Sequence, residues 1–337
     1  MKELDYEETF HLKKILFLDV RSPLEFKEDH LPQAINLPIF DDQEKKTIGK
    51  IYRSIGQEEA ILKGISFMEK KLSSFFQEIN NYKKYQLVIY CARGGMRSTA
   101  VVSLINSLGI AAYKLKKGYK GYRKYLISQL EHLQVKPPLF ILQGLTGVGK
   151  TELIKNLENS IDLENLAGHR SSVFGGLGLK KKSQKNFESL FWEKITFLQD
   201  KKYLVVEGES RKIGNIYLPW SFFSEMKKGL VIMIKSPLEN RIKRIIKEYG
   251  QKIDLKEILS LLPRIESKIG REKINLLKET LLKKDLETFV KILLENYYDP
   301  LYRHSLKKLN YIAEIENLDT NTSAEKIKKI INKHLSS

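Results

Sequence analysis

Short runs of apolar residues recur along the chain, and most of them end at a polar or glycine-rich segment. Apolar runs of this length without alternation are typical of strands buried on both faces of a parallel sheet. Residues 98–108 instead place small and apolar side chains at helical spacing, directly after one such run. The pattern therefore predicts an α/β fold. The predicted strands cover residues 15–18, 87–90, 139–142, 203–206 and 230–234.

A proline pair near the middle of the chain separates two units. Lys136-Pro137-Pro138 interrupts the pattern, and Pro-Pro is typical of linkers. The 337 residues are enough for two ordinary domains, and charged amphipathic helix prevails towards the C-terminus. We predict a first domain over residues 1–134, a second α/β domain over 135–240, and a helical extension over 241–337 that completes the second domain.

Composition limits the compartment and the class of protein. A single cysteine excludes a disulfide framework within the chain and favours a reducing compartment. The first residues carry acids where a signal peptide needs an apolar run, and no stretch reaches the roughly 18 apolar residues of a membrane span. We therefore expect a cytoplasmic protein.

The net charge of +18 predicts an anionic partner such as RNA. Two basic runs contain no acid, and tyrosines interleave with the first, so that stacking and phosphate neutralisation could act together. The alternative is an ordinary solvated surface rich in lysine. The candidate RNA contacts are Lys114, Lys116, Lys117, Tyr119, Lys120 and Arg123 in the first run, and Arg170 at the start of the second.

The lone cysteine, Cys91, lies between a predicted strand and a predicted helix. Backbone N–H groups at the helix start, together with Arg93 and Arg97, would favour the thiolate. Gly94 and Gly95 would let the backbone wrap around a tetrahedral anion. These features predict a catalytic nucleophile rather than an inert buried thiol.

The loop alone also fits the Cys-x5-Arg pattern of cysteine-dependent phosphatases, but no acid for the leaving oxygen lies in or beside it. The upstream sequence decides between the two. Asp-Val-Arg-Ser-Pro-Leu-Glu-Phe over residues 19–26 and His-Leu-Pro-Gln-Ala-Ile-Asn-Leu-Pro over residues 30–38 closely resemble the rhodanese signature. That resemblance implies a rhodanese-like three-layer domain in which these upstream residues are mostly architectural.

Residues 144–151 match the G-x-x-x-x-G-K-[ST] phosphate loop, after a predicted strand and before a helix. The loop amides would cradle a phosphate chain, Lys150 would neutralise it, and Thr151 is suited to ligate Mg²⁺. The pattern indicates phosphate or diphosphate binding and does not show hydrolysis. The phosphate-binding residues predicted here are Gly144, Thr146, Gly147, Gly149, Lys150 and Thr151.

An acidic segment follows the predicted strand 203–206. An acid at the end of a strand beside a phosphate loop is a candidate metal or substrate contact, and surface salt bridging is the alternative. The candidates are Glu207, Glu209 and Arg211. The segment from His169 to Gly176 is a second candidate phosphate or RNA contact, or simply a turn.

The ordered combination resembles the bacterial tRNA 2-selenouridine synthases over nearly the whole chain. The shared features are the Cys-Ala-Arg-Gly-Gly-Met-Arg-Ser loop, the Gly-x-Thr-Gly-x-Gly-Lys-Thr loop, His169-Arg170, residues 207–211 and residues 296–302. Two positions depart from the expected pattern: Ser171 stands where Gly is expected, and Gly208 where an acid is expected.

The resemblance implies an exchange on the wobble uridine of tRNAs for Lys, Glu and Gln. Geranyl diphosphate would first S-alkylate 2-thiouridine at the phosphate loop, and selenium from selenophosphate would then replace the S-geranyl group. Cys91 would take the selenium as a selenosulfide, and Arg93 and Arg97 would bind the phosphate part. No tightly bound cofactor is implied, Mg²⁺ is compatible with the site, and a selenophosphate-supplying enzyme is a candidate partner.

Three other interpretations remain open from the residues alone. One is a persulfide sulfurtransferase with a regulatory nucleotide-binding domain. Another is a nucleotide-gated RNA-binding protein with a redox-sensing cysteine. The third is a small-molecule kinase fused to an inactive rhodanese fold, which the presence of Cys91 disfavours because an inactive copy would usually lose the cysteine. The sequence does not give the oligomeric state.

Overall fold

The computed structural model describes residues 2–249 and 254–336 and is divided into two compact units. Unit 1 consists of residues 1–130 with 188–192, and unit 2 of residues 131–187 with 193–337. The predicted boundary after residue 134 is close to this division. The assignment of domains 1–134, 135–240 and 241–337 stays a prediction.

Unit 1 is built on a five-stranded parallel sheet in the order β1-β5-β4-β2-β3. The central strand β4 is buried at four consecutive positions, 87–90, as the unbroken apolar run predicts for a strand covered on both faces. Its strands are β1 (Glu3–Leu4), β2 (Ile15–Asp19), β3 (Ile35–Asn36), β4 (Gln86–Tyr90) and β5 (Ala112–Leu115).

Helices cover this sheet, and two of them matter for the cysteine. The helix predicted over 98–108 is present as α5 and begins two residues earlier, at Met96. Helix α6 follows β5 and starts at Gly118. The helices are α1 (Pro23–Glu28), α2 (Asp42–Ser54), α3 (Gln57–Glu69), α4 (Leu72–Asn80), α5 (Met96–Ser107) and α6 (Gly118–Glu131).

The signature residues upstream of the cysteine hold the carboxyl ends of the strands together. Asp19 at the end of β2 accepts from the Arg21 guanidinium at 2.7 Å, and both side chains are buried. Arg21 also donates to the Asp29 carbonyl at 2.7 Å, and Asn36 donates to the Asp19 carbonyl at 2.9 Å. These contacts support the architectural role that the rhodanese resemblance implies.

Unit 2 contains a second parallel sheet, ordered β12-β11-β6-β8-β7, and a separate two-stranded hairpin. Strand β12 lies within the predicted helical extension and pairs with β11. The apolar pattern did not predict β12. The strands are β6 (Leu139–Gln143), β7 (Ser160–Ile161), β8 (Leu204–Glu207), β9 (Lys212–Ile213), β10 (Ile216–Tyr217), β11 (Leu230–Lys235) and β12 (Ala313–Glu316).

Some helices after residue 131 pack against the second sheet, and others form a cluster towards the C-terminus with a core of its own around Leu262, Leu277 and Leu294. Residues 188–192, in the third of these helices, belong to unit 1. The helices are α7 (Lys150–Asn156), α8 (Leu163–Ala167), α9 (Gln184–Leu198), α10 (Trp220–Lys228), α11 (Leu238–Tyr249), α12 (Leu255–Leu261), α13 (Glu266–Ile269), α14 (Arg271–Leu282), α15 (Leu286–Leu293), α16 (Asp299–Leu306) and α17 (Thr320–Leu335).

No helix in the described ranges is both long and apolar enough to span a membrane.

Candidate active sites

Cys91 follows β4 directly, and the loop after it turns into α5 within five residues. The cysteine is only 3% exposed. Its Sγ lies 3.3 Å from the Ser98 hydroxyl and 3.9 Å from the Gly95 carbonyl. The thiol therefore lies at the base of a strand-loop-helix turn, as the sequence predicts, with a buried hydroxyl beside it that the sequence analysis did not assign.

The turn is closed from below by the start of α6. The backbone N–H of Tyr119 donates to the Cys91 carbonyl at 2.9 Å, and that of Lys120 donates to the Ala92 carbonyl at 3.0 Å. Gly118 has φ +54°, and a Cβ there would lie 2.1 Å from the Cys91 oxygen. Only glycine allows this approach of two backbone segments.

The pKa of the Cys91 thiol is lowered. Burial acts in the opposite direction and raises it, but hydrogen bonds from the Ser98 hydroxyl and from the backbone N–H groups of Ser98 and Arg93 outweigh burial. The charge of Arg97 adds to the lowering. A lowered pKa increases the fraction of thiolate, which is the reactive form of cysteine.

The two arginines of the loop differ in their surroundings. Arg97 donates from its NH1 to Glu25 Oε2 at 3.1 Å, and Glu25 also pairs with Lys45 at 3.3 Å. Arg93 is exposed. Glu25 comes from α1, far away along the chain, so an acid beside the loop was not predicted from the sequence. Anion binding by Arg93, Gly94, Gly95 and Arg97 stays a prediction.

The two glycines of the loop also differ. Gly94 has φ +64°, and a Cβ there would lie 3.0 Å from backbone atoms of Gly118 and Leu115. Gly95 has φ −92°, and a Cβ there would meet no atom within 4 Å. The backbone therefore requires glycine at position 94 and does not require it at 95.

The basic stretch over residues 113–125 is partly structural. Lys114 is buried in β5, where its Nζ pairs with Glu3 at 2.6 Å and donates to Thr99 at 3.2 Å. Arg123 is also buried and pairs with Asp29 at 3.8 Å. These two cations are engaged inside unit 1, and RNA binding by the stretch stays a prediction. Its exposed cations are Lys116, Lys117, Lys120 and Lys124.

The tyrosines of this stretch do not form an exposed stacking surface. Tyr122 is fully buried, with its ring centroid 4.9 Å from that of Tyr6. Tyr119 donates its hydroxyl to Asp29 Oδ2 at 2.8 Å, and its ring centroid lies 4.0 Å from the Arg21 guanidinium carbon. The expectation that stacking on bases explains the interleaved tyrosines is wrong for Tyr122, because its ring belongs to a buried aromatic cluster.

In unit 2 the phosphate loop connects β6 to α7, as predicted. Gly144, Gly147 and Gly149 have φ values of +156°, +81° and +91°. A Cβ at Gly144 would lie 2.3 Å from the Ile234 carbonyl, and one at Gly149 would lie 2.6 Å from Asn317 Nδ2. Lys150 donates from Nζ to the Gly144 carbonyl at 2.9 Å. Its ammonium therefore lies against the backbone of the loop.

Side chains distant in sequence fix the outer side of this loop. Arg241 of α11 donates to the Thr146 carbonyl at 2.8 Å and forms a buried ion pair with Asp299. Asn317, after β12, donates to the Val148 carbonyl at 2.8 Å. Because these donors occupy loop carbonyls, they restrict the orientation of the peptide groups and hence of the N–H groups that would face a phosphate.

Glu164 and Glu209 lie near Lys150, and Glu207 contacts the backbone of Glu164. Thr151 donates from Oγ1 to Glu164 Oε2 at 3.2 Å, and the Glu164 backbone N–H donates to Glu207 Oε1 at 2.7 Å. Glu207 is 1% exposed, and its Oε2 has no hydrogen-bond partner among the described residues. Glu164 was not predicted from the sequence, since it precedes the acidic segment by some forty residues and comes from α8.

The pKa values of Glu164, Glu207 and Glu209 are all raised, and burial is the largest cause at each. Burial and the charge of Glu209 raise the pKa of Glu164 to about 8, although Lys150 and Thr151 act against the rise. Burial and the charge of Glu164 raise the pKa of Glu207 well above its usual value. Burial also raises the pKa of Glu209, against the charge of Lys150. The cluster therefore holds protons near neutral pH.

No group of three or more His, Cys, Asp or Glu side chains in the described ranges is arranged to hold a metal ion. Oε1 of Glu207 already accepts a hydrogen bond from the Glu164 backbone N–H at the start of α8. The Thr151 hydroxyl donates to the Glu164 carboxyl group. The roles of Glu207, Glu209 and Mg²⁺ stay predictions.

Arg170, Arg211 and His169 lie near the hairpin and the loop before α9. Arg170 donates to Glu248 Oε1 at 2.6 Å and lies over the Tyr249 ring at 4.6 Å, while Arg211 is exposed and lies 5.3 Å from the Trp220 ring centroid. The His169 ring packs so closely on Gly214 that a Cβ there would lie 2.6 Å away. The segment from 169 to 176 is therefore packed against its surroundings.

The two departures from the family pattern have structural counterparts. Ser171 has φ +44°, in the left-handed region that favours the expected glycine. At Gly208 a Cβ would lie 2.1 Å from the side chain of Gln143, so the expected acid would require Gln143 to move.

Residues 137–335 match the family described as the tRNA 2-selenouridine synthase AAA domain, and residues 4–125 match the rhodanese-like domain. The first match covers more than half of the chain. The chain belongs to the tRNA 2-selenouridine synthase family. The predicted order of a rhodanese-like domain followed by a P-loop α/β domain is confirmed.

Relatives that carry the name tRNA 2-selenouridine synthase align with almost the whole chain. The protein of Hydrogenovibrio crunogenus is 32% identical over 88% of this chain and 91% of its own length. That of Nitrosomonas europaea is 31% identical over 86% and 89%, and that of Psychromonas ingrahamii is 31% identical over 90% and 91%. Both candidate sites lie within the matched domains, Cys91 in the rhodanese-like domain and Lys150 in the other.

Proposed function

We propose that this protein is an enzyme that converts the wobble 2-thiouridine of tRNA to 2-selenouridine. Geranyl diphosphate and selenophosphate are its proposed substrates, and an S-geranyl nucleoside is the intermediate. The observation that carries the proposal is the presence, in one member of this family, of a lowered-pKa thiol in a rhodanese-like loop and a complete phosphate loop. Each loop suits one half of the exchange.

The phosphate loop suits the alkylation step. The thiouridine sulfur would form a bond to C1 of the geranyl group while the C–O bond to diphosphate breaks, and the diphosphate would leave with the electron pair. Lys150 and the amides of the loop would stabilise the charge on the departing diphosphate. The proton lost by the thiouridine ring would pass to solvent or to a carboxylate of the neighbouring cluster.

The cysteine loop suits delivery of selenium. A selenosulfide formed with release of phosphate would need a two-electron oxidant, so we propose that the Cys91 thiolate attacks the phosphorus of selenophosphate. A sulfur–phosphorus bond would form while the selenium–phosphorus bond breaks, and selenium would leave as selenide with the electron pair. Water would then attack the phosphorus, release phosphate and restore the thiolate. We expect the exposed Arg93 to bind the phosphate part, and Arg97 to do so while it shares its charge with Glu25. The selenide would attack C2 of the S-geranyl nucleoside while the bond from C2 to sulfur breaks, and geranyl thiolate would leave with the electron pair.

The acceptor is proposed to be the anticodon arm of tRNAs for Lys, Glu and Gln. The exposed ammonium groups of Lys116, Lys117 and Lys120 fit phosphate contacts, and we expect the affinity to fall steeply with salt. Lys114 and Arg123 would contribute to the fold rather than to RNA contact, because both are buried in ion pairs.

The test is direct product analysis. The purified protein is incubated with 2-thiouridine tRNA, geranyl diphosphate and selenophosphate, and the digested tRNA is analysed by nucleoside mass spectrometry. We expect S-geranyl-2-thiouridine when selenophosphate is omitted and 2-selenouridine when all components are present. Folded protein that yields neither nucleoside contradicts the proposal. Rapid turnover of ATP or GTP with persulfide transfer from thiosulfate would instead favour the sulfurtransferase with a regulatory nucleotide-binding domain.

A further inference from the structure

Ser98 is completely buried in the first turn of α5, below the sulfur of Cys91. Its Oγ lies 3.3 Å from Cys91 Sγ and 3.2 Å from the Gly95 carbonyl oxygen. A serine hydroxyl has one proton to donate, and two acceptors compete for it here. The Gly95 carbonyl oxygen is an acceptor in either state of Cys91, whereas the sulfur becomes a strong acceptor only as a thiolate.

We propose that Ser98 is a positioning residue whose hydroxyl proton changes partner with the ionisation of Cys91. While Cys91 is a neutral thiol, the hydroxyl donates to the Gly95 carbonyl and the S–H group points to the Ser98 oxygen. When the thiol loses its proton to water, the hydroxyl rotates and donates to the thiolate. No covalent bond changes in Ser98 at any stage.

The energetic direction follows from charge. A hydrogen bond to an ionised acceptor is stronger than one to a neutral carbonyl, so the rotation is favourable only for the thiolate. The backbone N–H of Thr99 also donates to the Gly95 carbonyl, at 3.1 Å, so this oxygen keeps a partner once the hydroxyl has turned away. When the sulfur attacks a substrate and its negative charge is lost, the hydroxyl returns to Gly95.

Other charged and titratable groups surround the loop, but their contacts depend less on the state of the sulfur. Arg97 shares its charge with Glu25, and Arg93 is exposed to screening by solvent. From α6, Tyr119 approaches Cys91 through its backbone N–H, while its hydroxyl is committed to Asp29. On the neighbouring strand, the charge of Asp19 is neutralised by the buried guanidinium of Arg21. Ser98 is the side chain with a hydrogen bond that can move to the sulfur.

The experiment uses the fact that Cys91 is the only cysteine, so alkylation of the full chain by iodoacetamide reports on this thiol alone. The alkylation rate is measured by intact mass between pH 5 and pH 11 in wild type, Ser98→Ala and Ser98→Thr. Ser103→Ala is the matched control, since Ser103 lies on the exposed side of the same helix. Thiolate absorbance near 240 nm gives a second titration.

We expect Ser98→Ala to move the midpoint upward by about one pH unit, which makes alkylation at neutral pH about tenfold slower with the same high-pH plateau. Ser98→Thr and Ser103→Ala should overlay wild type. An unshifted Ser98→Ala profile, or an equal shift in Ser103→Ala, overturns the proposal. If Ser98→Ala changes the alkylation rate on the high-pH plateau, the Ser98→Thr variant decides the matter. A wild-type titration midpoint in Ser98→Thr supports the proposal, and a shifted midpoint overturns it.

Ser98 would stabilise the thiolate form of Cys91 that the proposed function requires, so this role rests on that function. Its test needs neither selenium nor tRNA. Failure of the proposed function would appear as missing nucleoside products with the titration difference intact, whereas failure of this inference would leave the products and remove the difference.

Discussion

The cysteine loop of unit 1 and the phosphate loop of unit 2 have the same local architecture and opposite electrostatics. Each follows a buried parallel strand and leads into a helix, which aims backbone N–H groups at one point. At the cysteine loop these groups and Ser98 stabilise a negative charge on the protein's own sulfur. At the phosphate loop Lys150 faces glutamates whose pKa values are raised.

The difference shows how one turn supports two kinds of chemistry. In unit 1 most groups that act on the sulfur come from the loop itself, within residues 91–98. In unit 2 the loop depends on Arg241 and Asn317 for its shape and on Glu164 for its charge balance, and all three lie far from it in sequence. The groups that stabilise the Cys91 thiolate are therefore close to it in sequence, whereas those that shape the phosphate loop come from several parts of the chain.

The largest expected effect is a separation of the two steps between the loops. Cys91→Ser should still form S-geranyl-2-thiouridine but no 2-selenouridine, because it lacks the thiolate. Lys150→Ala should reduce geranylation by about 100-fold or more, since the charge on the leaving diphosphate loses its cation. Nucleoside mass spectrometry after each reaction checks both outcomes.

Matched controls lie on the same two helices, Ser103→Ala after the cysteine loop and Lys155→Ala after the phosphate loop, and both side chains are exposed. They should retain both products. Loss of the same single step in Cys91→Ser and Lys150→Ala would refute the division of labour.

The next effect concerns the backbone contact that closes the cysteine loop. Gly118→Ala should destabilise unit 1 by about 3 kcal/mol, combining left-handed strain with overpacking against the Cys91 carbonyl. Gly95→Ala should be nearly neutral, because its φ is negative and a Cβ there meets nothing within 4 Å. Thermal unfolding of the two variants measures the contrast. Equal midpoints would show that the close approach at Gly118 is not needed.

The last effect is confined to the surroundings of the phosphate loop and appears only as the pH changes. The pKa of Glu164 is raised to about 8 in the folded protein, so the folded state binds more protons than the unfolded state between about pH 4.5 and 8. The stabilisation from this carboxyl group is complete below that window and is lost as the pH rises through it. Glu164→Gln should flatten the fall in melting temperature between pH 6 and pH 8.5.

The exposed Glu158→Gln on the same unit serves as the control and should follow wild type. A Glu164→Gln variant whose melting temperature falls with pH as steeply as that of wild type would show that this group does not carry the proton.

The sequence by itself determined the local features. The strands ending at Tyr90 and Gln143, the turns after them and the positions of Cys91 and Lys150 are set by apolar runs and by residues within a few positions of one another. Such contacts are encoded by period and spacing, so a linear reading can find them. The two-domain order and the family resemblance follow from the same short segments.

Only the tertiary structure decided which groups share a site. Glu25 with Arg97, Glu164 with Thr151, and Arg241 with the phosphate loop are brought together by chain crossings over parallel sheets, and sequence spacing carries no record of them. Burial was decided in the same way. Lys114, Tyr122 and Arg123 read as a solvent-facing basic surface, but packing against other elements of unit 1 encloses all three.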